Sequence, residues 1–171
     1  LAGVTSTDWS WAPLLADFDN DGYKDLFVTN GVISNNRNSD LVTVYEKRID
    51  SINSVARQRG LNPNSMINVM DFVPLAPTDK LPNYIFKNNG DLTFSNKIKD
   101  WGMEKPTLSN GAAYADFDMD GDLDLVVNNI NETAILYKNN TSDNNSGNYI
   151  RFKIDSDKDG IIYGTKISLF K

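Results

Sequence analysis

One acidic pattern occurs twice in this chain of 171 residues, and it restricts the possible folds more than any other feature. Residues 16–26 read Ala-Asp-Phe-Asp-Asn-Asp-Gly-Tyr-Lys-Asp-Leu, and residues 115–125 read Ala-Asp-Phe-Asp-Met-Asp-Gly-Asp-Leu-Asp-Leu, a shift of 99 residues. In both copies an apolar stretch continues to an asparagine, over residues 25–30 and 124–129. The repeat predicts two structural units of one kind, each with a strand after its acidic segment.

A second shared segment follows each copy and reveals an insertion in the first unit. Residues 84–89 read Tyr-Ile-Phe-Lys-Asn-Asn, and residues 135–140 read Ile-Leu-Tyr-Lys-Asn-Asn. In the first unit 62 residues separate Asp25 from Asn88, whereas 14 separate the equivalent residues of the second unit, a difference of 48. The extra residues lie between Gly31 and Pro82. An interruption of this length indicates a separate excursion from the repeated unit.

The insertion has its own local patterns. Apolar residues at three- and four-residue spacing predict a helix over residues 40–59, and Gly60 suits its C-terminal cap. The apolar, proline-containing segment over residues 66–75 is predicted to be a loop on the surface. Beyond the insertion, Asn88-Asn-Gly predicts a hairpin turn. Further strands are predicted over residues 92–96, 149–155 and 161–170.

Each acidic segment spells Asp-x-Asp-x-Asp-Gly-x-x-Asp, which is a pattern of oxygen ligands. Carboxylates at alternate positions of a tight turn converge on one point, and Gly22 or Gly121 permits the positive φ that folds the chain around it. We therefore predict a hard-cation site in each copy, with calcium favoured over magnesium because calcium accepts more oxygen ligands. The seventh position would contribute its backbone carbonyl. The predicted ligands, for about two Ca²⁺ ions, are Asp17, Asp19, Asp21, Tyr23 and Asp25 in the first copy, and Asp116, Asp118, Asp120, Asp122 and Asp124 in the second.

The alternative is a pair of acidic hairpin turns without metal, since aspartate and asparagine are common turn residues. Two such loops in register within a repeat favour a ligand over this alternative. An EF-hand is excluded, because Val28 and Val127 stand where its last-position glutamate would be. A third acidic stretch, residues 155–160, lacks the final aspartate of the pattern and is predicted to be an ordinary acidic turn.

Composition narrows the chemistry that the chain can perform. Histidine and cysteine are both absent, which excludes a Ser-His-Asp or Cys-His nucleophile and a Cys/His zinc site. The formal net charge is −6, from 17 basic and 23 acidic residues, which argues against a nucleic-acid partner. No apolar run approaches the length of a transmembrane segment. The chain starts without Met or a signal-peptide pattern, so we expect that either processing or truncation has removed the original N-terminus.

On these motifs the chain resembles the FG-GAP/VCBS repeat family, whose units stack as blades of an integrin-α-like β-propeller. The resemblance covers residues 11–31, 83–97 and 110–140. It implies a mainly β fold of β-propeller blades, here a partial propeller in which residues 1–140 hold two blades. The helical insertion would occupy about residues 31–82. It also implies that the acidic loop joins the first two strands of a blade, with the insertion on the opposite face.

The C-terminal part has a second resemblance. Residues 148–154 and 163–169 resemble the start of the ASPIC/UnbV module that follows such propellers, so residues 141–171 would begin a further β module. The two resemblances together imply a calcium role for the nine aspartates and the Tyr23 carbonyl, and no catalytic residue. They also imply an extracellular or cell-surface protein, either secreted or part of a bacterial outer-membrane surface complex.

The function expected from these observations is calcium-dependent recognition of a protein or glycan by a module that is not an enzyme. One alternative is a fragment of a propeller-based carbohydrate-active enzyme whose catalytic carboxylates lie elsewhere. RNA binding is another, and the negative charge disfavours it. Trp9, Trp11 and Trp101 are candidates for stacking on a sugar, although packing against strands is the commoner role of such residues.

Overall fold

Strands dominate the structure of the chain, as the sequence predicts. The computed structural model describes residues 2–35, 40–143, 149, 150, 152, 154 and 166–170. Within these residues, seven strands form two antiparallel sheets, and neither sheet closes on itself. The prediction of a mainly β fold is therefore confirmed.

The first sheet has four strands and the second has three. The order in the first sheet is β1-β2-β3-β4, and the order in the second is β5-β6-β7. The strands of the first sheet are β1 Ser10–Ala16, β2 Asp25–Asn30, β3 Tyr84–Asn88 and β4 Phe94–Asn96. Those of the second are β5 Ser109–Ala115, β6 Asp124–Asn129 and β7 Ile135–Tyr137.

The two sheets share one strand register at the 99-residue shift. Ala16 pairs with Asp25 at the end of the first hairpin, and Ala115 pairs with Asp124 at the same place in the second. The pairing of β1 with β2 is irregular after Ser10, and that of β5 with β6 is irregular after Ser109. The sequence repeat thus coincides with equal backbone pairing, and corresponding residues of the two units occupy corresponding places.

The acidic segments and the insertion lie at opposite ends of the strands. Residues 17–24 connect β1 to β2, and residues 116–123 connect β5 to β6. We call these the first and second acidic loops. The insertion instead connects β2 to β3. Because β2 begins at the first acidic loop and ends at the insertion, the two features stand one strand length apart, as expected.

The core lies between the two sheets and receives side chains from both. Phe27 and Ile85 of the first sheet, with Leu125 and Val127 of the second, are fully or almost fully buried. Phe18 of the first acidic loop joins the same cluster. Burial of large apolar side chains contributes about 1.5–3 kcal/mol each. Because Phe18 belongs to the core cluster, its burial also fixes the start of the first acidic loop.

Buried polar side chains connect the sheets at the end opposite the acidic loops. The Asn30 backbone N–H donates to Asn83 Oδ1 at 2.9 Å, and the Asn83 amide donates to Thr107 Oγ1 at 3.4 Å. The hydroxyls of Thr107 and Ser109 are 2.7 Å apart, and Ser109 donates to Asn129 Oδ1 at 2.7 Å. Because every member has a partner, this network stabilises the contact between sheets.

The predicted helix is confirmed with its predicted bounds. Helix α1 spans Asp40–Arg59, and its buried residues Leu41, Ile52 and Ala56 recur on one face. Gly60 follows with a φ of +63°, the left-handed conformation that ends many helices. The aromatic ring of Tyr45 meets that of Phe72 edge-on at 5.7 Å, which joins the helix to the segment after it.

The segment after the helix has more structure than the predicted surface loop. It contains three short 3₁₀ helices, Pro63–Ser65, Val69–Asp71 and Val73–Leu75. Asn62 and Asn68 cap the first two, because their side-chain oxygens accept backbone N–H groups two residues ahead. Its position on the surface is as expected, since Val69 is 74% exposed.

The C-terminal strand predictions are wrong for the residues that the structure describes. Tyr149, Ile150, Phe152 and Ile154 lie outside strands, as do residues 166–170. Alternating apolar residues form a strand only where a neighbouring strand can pair with them, and these side chains are exposed instead. The acidic turn predicted over residues 155–160 lies outside the described residues. Among the described helices, none has the length and apolar character needed to cross a bilayer.

Candidate metal centre

The first acidic loop brings three carboxylates together. Carboxylate oxygens of Asp17, Asp19 and Asp21 all lie within 4.8 Å of one another. Asp17 shapes the turn, because its Oδ1 accepts the Asp21 backbone N–H at 3.1 Å and its Oδ2 accepts that of Gly22 at 2.9 Å. Gly22 has a φ of +93°, which only glycine adopts readily. The predicted convergence of these three side chains is therefore present.

The second acidic loop repeats this arrangement. Carboxylate oxygens of Asp116, Asp118 and Asp120 lie within 4.8 Å of one another. Asp116 Oδ2 accepts the Gly121 backbone N–H at 3.1 Å, the counterpart of the bond from Gly22 to Asp17. Gly121 has a φ of +98°. We call the two sets of carboxylates the first and second triads.

The aspartate that ends each pattern lies outside its triad. Asp25 is fully buried, and its two oxygens accept the backbone N–H groups of Phe18 at 3.0 Å and Asn88 at 2.9 Å. Burial raises the pKa of Asp25 to about 6, against the opposing effect of these hydrogen bonds. Its carboxylate therefore ties the acidic loop to β3.

Asp124 has the same role in the second unit. Its oxygens accept the backbone N–H groups of Phe117 at 3.0 Å and Asn139 at 2.8 Å. Sequence spacing placed Asp25 and Asp124 among the ligands and gave no indication of this anchoring role. A carboxylate oxygen has more than one lone pair, so a contribution to a metal remains compatible with these bonds and stays a prediction.

The seventh positions of the two loops differ. Tyr23 is half exposed, and its ring packs against Gly90. A Cβ added to Gly90 would lie only 2.9 Å from the Tyr23 ring. The Asp122 side chain is buried and accepts from the Asn20 amide at 2.7 Å and the Ser142 backbone N–H at 2.6 Å. Both residues were predicted to act through their backbone carbonyls, and the side-chain role of Asp122 was not foreseen.

A lysine reaches each triad from the third strand of its own sheet. Lys87 of β3 forms ion pairs with Asp19 and with Asp21, the latter at 2.6 Å. Lys138, directly after β7, lies 2.6 Å from Asp118 Oδ2 and 3.6 Å from Asp120 Oδ2. Sequence reasoning missed both lysines, although the shared Lys-Asn-Asn of the second repeated segment contained the signal.

These contacts shift the protonation equilibria of the loops. Burial alone would raise the pKa of Asp21, but the hydrogen bond and charge of Lys87, together with the hydrogen bond from the Tyr23 backbone N–H, outweigh burial and lower that pKa. Burial works against the charge of Lys87, yet its bonds to Asp19 and Asp21 raise the Lys87 pKa above its ordinary value. The bond between Lys138 and Asp118 likewise raises the lysine pKa and lowers the aspartate pKa. The lysines therefore favour the charged forms of Asp21 and Asp118.

Two features of the acidic loops suit a hard cation, namely the kind of donor atom that they present and the presence of buried oxygens without a hydrogen-bond donor. Asp19 Oδ1 and Asp120 Oδ2 are buried and have no hydrogen-bond donor, although buried oxygens of this kind normally have one. The converging donors are all carboxylate oxygens, which suit calcium or magnesium rather than zinc or copper. The residues that would hold the ion are Asp17, Asp19 and Asp21 in one loop, and Asp116, Asp118 and Asp120 in the other.

The three tryptophans have different surroundings. The Trp9 backbone N–H donates to Asn30 Oδ1 at 2.9 Å, and the Trp11 indole donates to the Gly31 carbonyl at 2.7 Å. Trp101 instead packs against the core and lines a cleft of about 360 Å³ between the sheets. Sugar stacking by these residues stays a prediction.

Comparisons of the chain with known proteins add no assignment. No protein-family model matches the sequence, and no curated protein does so either. The two triads and their surroundings are therefore the features of the molecule that bear on its function.

Proposed function

We propose that this chain is a calcium-binding β module in which each acidic loop binds one Ca²⁺ ion. The observation that carries the proposal is the presence of two carboxylate triads at matching places of two sheets with one register. Three ionised carboxylates within 4.8 Å repel one another, and a divalent cation between them would offset that repulsion. Two matching clusters are hard to explain as chance.

Calcium is the ion that this donor set supports best. Magnesium requires a strict octahedron, whereas the loop oxygens belong to flexible side chains and to backbone carbonyls. Weak calcium sites of extracellular modules have dissociation constants of about 10⁻⁴–10⁻³ M and are filled at extracellular calcium levels. We therefore propose an extracellular or cell-surface location for the protein.

We further propose that the two sheets are neighbouring blades of a partial β-propeller of the FG-GAP/VCBS type, followed by an ASPIC/UnbV-like module. The four-stranded antiparallel first sheet and the packing of β1 against β5 support the propeller arrangement. In this proposal the ions stiffen one end of the blades. The other end, which bears the insertion, would recognise a protein or glycan.

A carbohydrate-active enzyme has less support than recognition. Glycoside hydrolysis requires two carboxyl groups about 5–10 Å apart that flank the bond. Glu46 and Glu104 are exposed on α1 and on a connecting segment, and Glu132 is paired with Lys80. The triad aspartates are assigned to the cation in this proposal.

Calorimetry and native mass spectrometry on single variants test the proposal. We expect the parent chain to bind two Ca²⁺ ions, and Asp21→Ala and Asp120→Ala to lose one ion each, because each removes a member of one triad. Asp50→Ala, on the exposed surface of α1, is the matched control and should keep both ions. Absence of binding by the parent chain at millimolar calcium would overturn the proposal.

A further inference from the structure

We propose that Lys87 and Lys138 are internal counter-cations, each of which offsets one negative charge of its adjacent triad when metal is absent and competes with calcium for the same oxygens. This inference rests on the proposed function, because it concerns how the two calcium sites are regulated. It predicts that removing either lysine charge tightens calcium binding at the adjacent loop while weakening the calcium-free fold.

The ammonium groups contact the atoms that a cation would need. Lys87 bonds the Oδ2 atoms of Asp19 and Asp21, which belong to the first triad. Lys138 approaches the Oδ2 atoms of Asp118 and Asp120, their equivalents in the second. In both loops the lysine uses the third- and fifth-position aspartates of the pattern. An ion bound by these oxygens would have to share or replace the ammonium group.

The backbone holds both lysines in place. The residue after Lys87 is Asn88, whose N–H donates to buried Asp25, and the residue after Lys138 is Asn139, whose N–H donates to Asp124. Each lysine therefore lies at a strand end that is hydrogen-bonded to the aspartate following its own acidic loop. Because the same geometry occurs twice, at matching positions of the repeat, it is a property of the unit rather than an incidental surface pair.

The negative charge of each triad explains what the lysine contributes to the calcium-free protein. A triad of ionised aspartates has three negative charges in a tight loop, and their repulsion opposes folding when calcium is absent. A tethered ammonium group removes one of these charges without loss of translational freedom, since it belongs to the same chain. The loop can then keep its shape until calcium arrives, at the cost of a weaker calcium affinity.

The two lysines differ in how closely they pair with the carboxylates of their triads. The Lys87 side chain is 28% exposed and bonds two carboxylates, whereas that of Lys138 is 51% exposed and has its second carboxylate at 3.6 Å. Exposed ion pairs contribute less than shielded ones because water and salt screen them. We therefore expect Lys87 to compete more strongly, so that the first loop is the weaker calcium site.

The test uses Lys87→Met and Lys138→Met, which keep most of the side-chain length and remove the charge. We expect calcium affinity at the adjacent loop to rise about three- to tenfold, with the larger rise for Lys87→Met. In calcium-free buffer the melting temperature should fall for both variants. Lys97→Met is the matched control, because Lys97 pairs with Asp100 outside the acidic loops and should leave calcium affinity unchanged.

Lys87→Gln provides a second, polar neutral variant should Lys87→Met fold poorly, and tighter binding by it supports the inference equally. Unchanged or weaker calcium affinity in the neutral variants, while the parent chain binds two ions, would overturn the role of the lysines and leave the calcium proposal intact. If neither the parent chain nor any variant binds calcium, the proposed function and this inference both fall. Calcium binding by the neutral variants and not by the parent chain would overturn the proposed function of the parent chain, and it would support the role of the lysines because their charge would then be what keeps the ion out.

Discussion

The Asn20 side-chain amide donates a 2.7 Å hydrogen bond to the Asp122 carboxylate, and so joins the first acidic loop to the second across 102 positions of sequence. Asp122 is buried and also accepts the Ser142 N–H. The two candidate metal loops are therefore in direct contact.

Asn20→Ala tests the importance of this contact for stability. The variant leaves one oxygen of a buried carboxylate without its donor, so we expect a loss of about 1–3 kcal/mol in the free energy of unfolding. Urea denaturation measures the change. Asn110→Ala is the matched control, because Asn110 takes part in an exposed asparagine pair at 3.0 Å, and its loss should cost under about 0.5 kcal/mol. Equal stabilities of the two variants would contradict the role given to Asn20.

Removal of calcium should lower the melting temperature. At 100 times the dissociation constant, a ligand of the folded state contributes about 2.7 kcal/mol, which corresponds to roughly 5–10 °C for a domain of this size. Differential scanning calorimetry with and without chelator gives the shift. Magnesium at equal concentration should restore only a small part of it. A melting curve that chelation leaves unchanged would favour the alternative of metal-free acidic turns.

The buried Asp25 predicts a dependence on pH in calcium-free buffer. Its pKa is raised to about 6 in the folded protein from 3.8, so the folded state binds this proton more tightly than the unfolded state does. The contribution of Asp25 to stability is therefore largest below about pH 4 and declines as the pH rises to about 6, after which it is constant.

Melting temperatures of the parent chain and Asp25→Asn, measured across this range, isolate the contribution. The parent chain should lose stability relative to the variant between about pH 4 and pH 6, because only the parent has the titrating group. Asp21 and Asp118, whose pKa values are lowered by their lysines, lose their stabilising contacts in a separate window at lower pH. If the melting temperature of the parent chain minus that of Asp25→Asn stays constant or rises with pH, the raised pKa of Asp25 is refuted.

The insertion should be removable without loss of the sheets. Val32 and Asp79 exchange two backbone hydrogen bonds of 3.0 and 2.9 Å, which close the base of the insertion. The core cluster between the sheets contains no residue of α1. Replacing residues 33–78 by a Gly-Asn turn should therefore keep the fold, with a melting temperature within about 5 °C of the parent.

Circular dichroism and calcium calorimetry on the shortened chain provide the measurements. Both ions should remain, because the acidic loops lie at the other end of the strands. Unfolding of the shortened chain would show that α1 is needed by the sheets. If the shortened chain still binds a partner of the full chain with unchanged affinity, recognition does not depend on the insertion.

Local patterns predicted much of this fold. The helix bounds, the hairpin after Asn88 and the strands β2 and β6 follow from periodicity and turn residues, since these interactions lie close in sequence. The convergence of each triad also follows from spacing within one turn. For the C-terminal residues that the structure describes, the strand predictions were wrong because an alternating pattern does not indicate whether a neighbouring strand is available.

Contacts between distant residues could not be predicted in this way. Lys87 meets Asp21 across 66 positions, and the two are brought together only by the pairing of β2 with β3. The spacing of the pattern placed Asp25 with the other aspartates, whereas burial and two backbone donors made it an anchor. Charge and spacing identify a candidate ligand, but the tertiary structure decides which oxygens are already engaged.

The bond between Asn20 and Asp122 also gives the pair of units a direction. At the 99-residue shift, Met119 stands in the second loop where Asn20 stands in the first, and Tyr23 stands in the first where Asp122 stands in the second. The donor therefore belongs to the first unit and the acceptor to the second, so the two units are not equivalent at this contact. Exchanging the order of the two units would place a methionine against a tyrosine where the amide now meets the carboxylate.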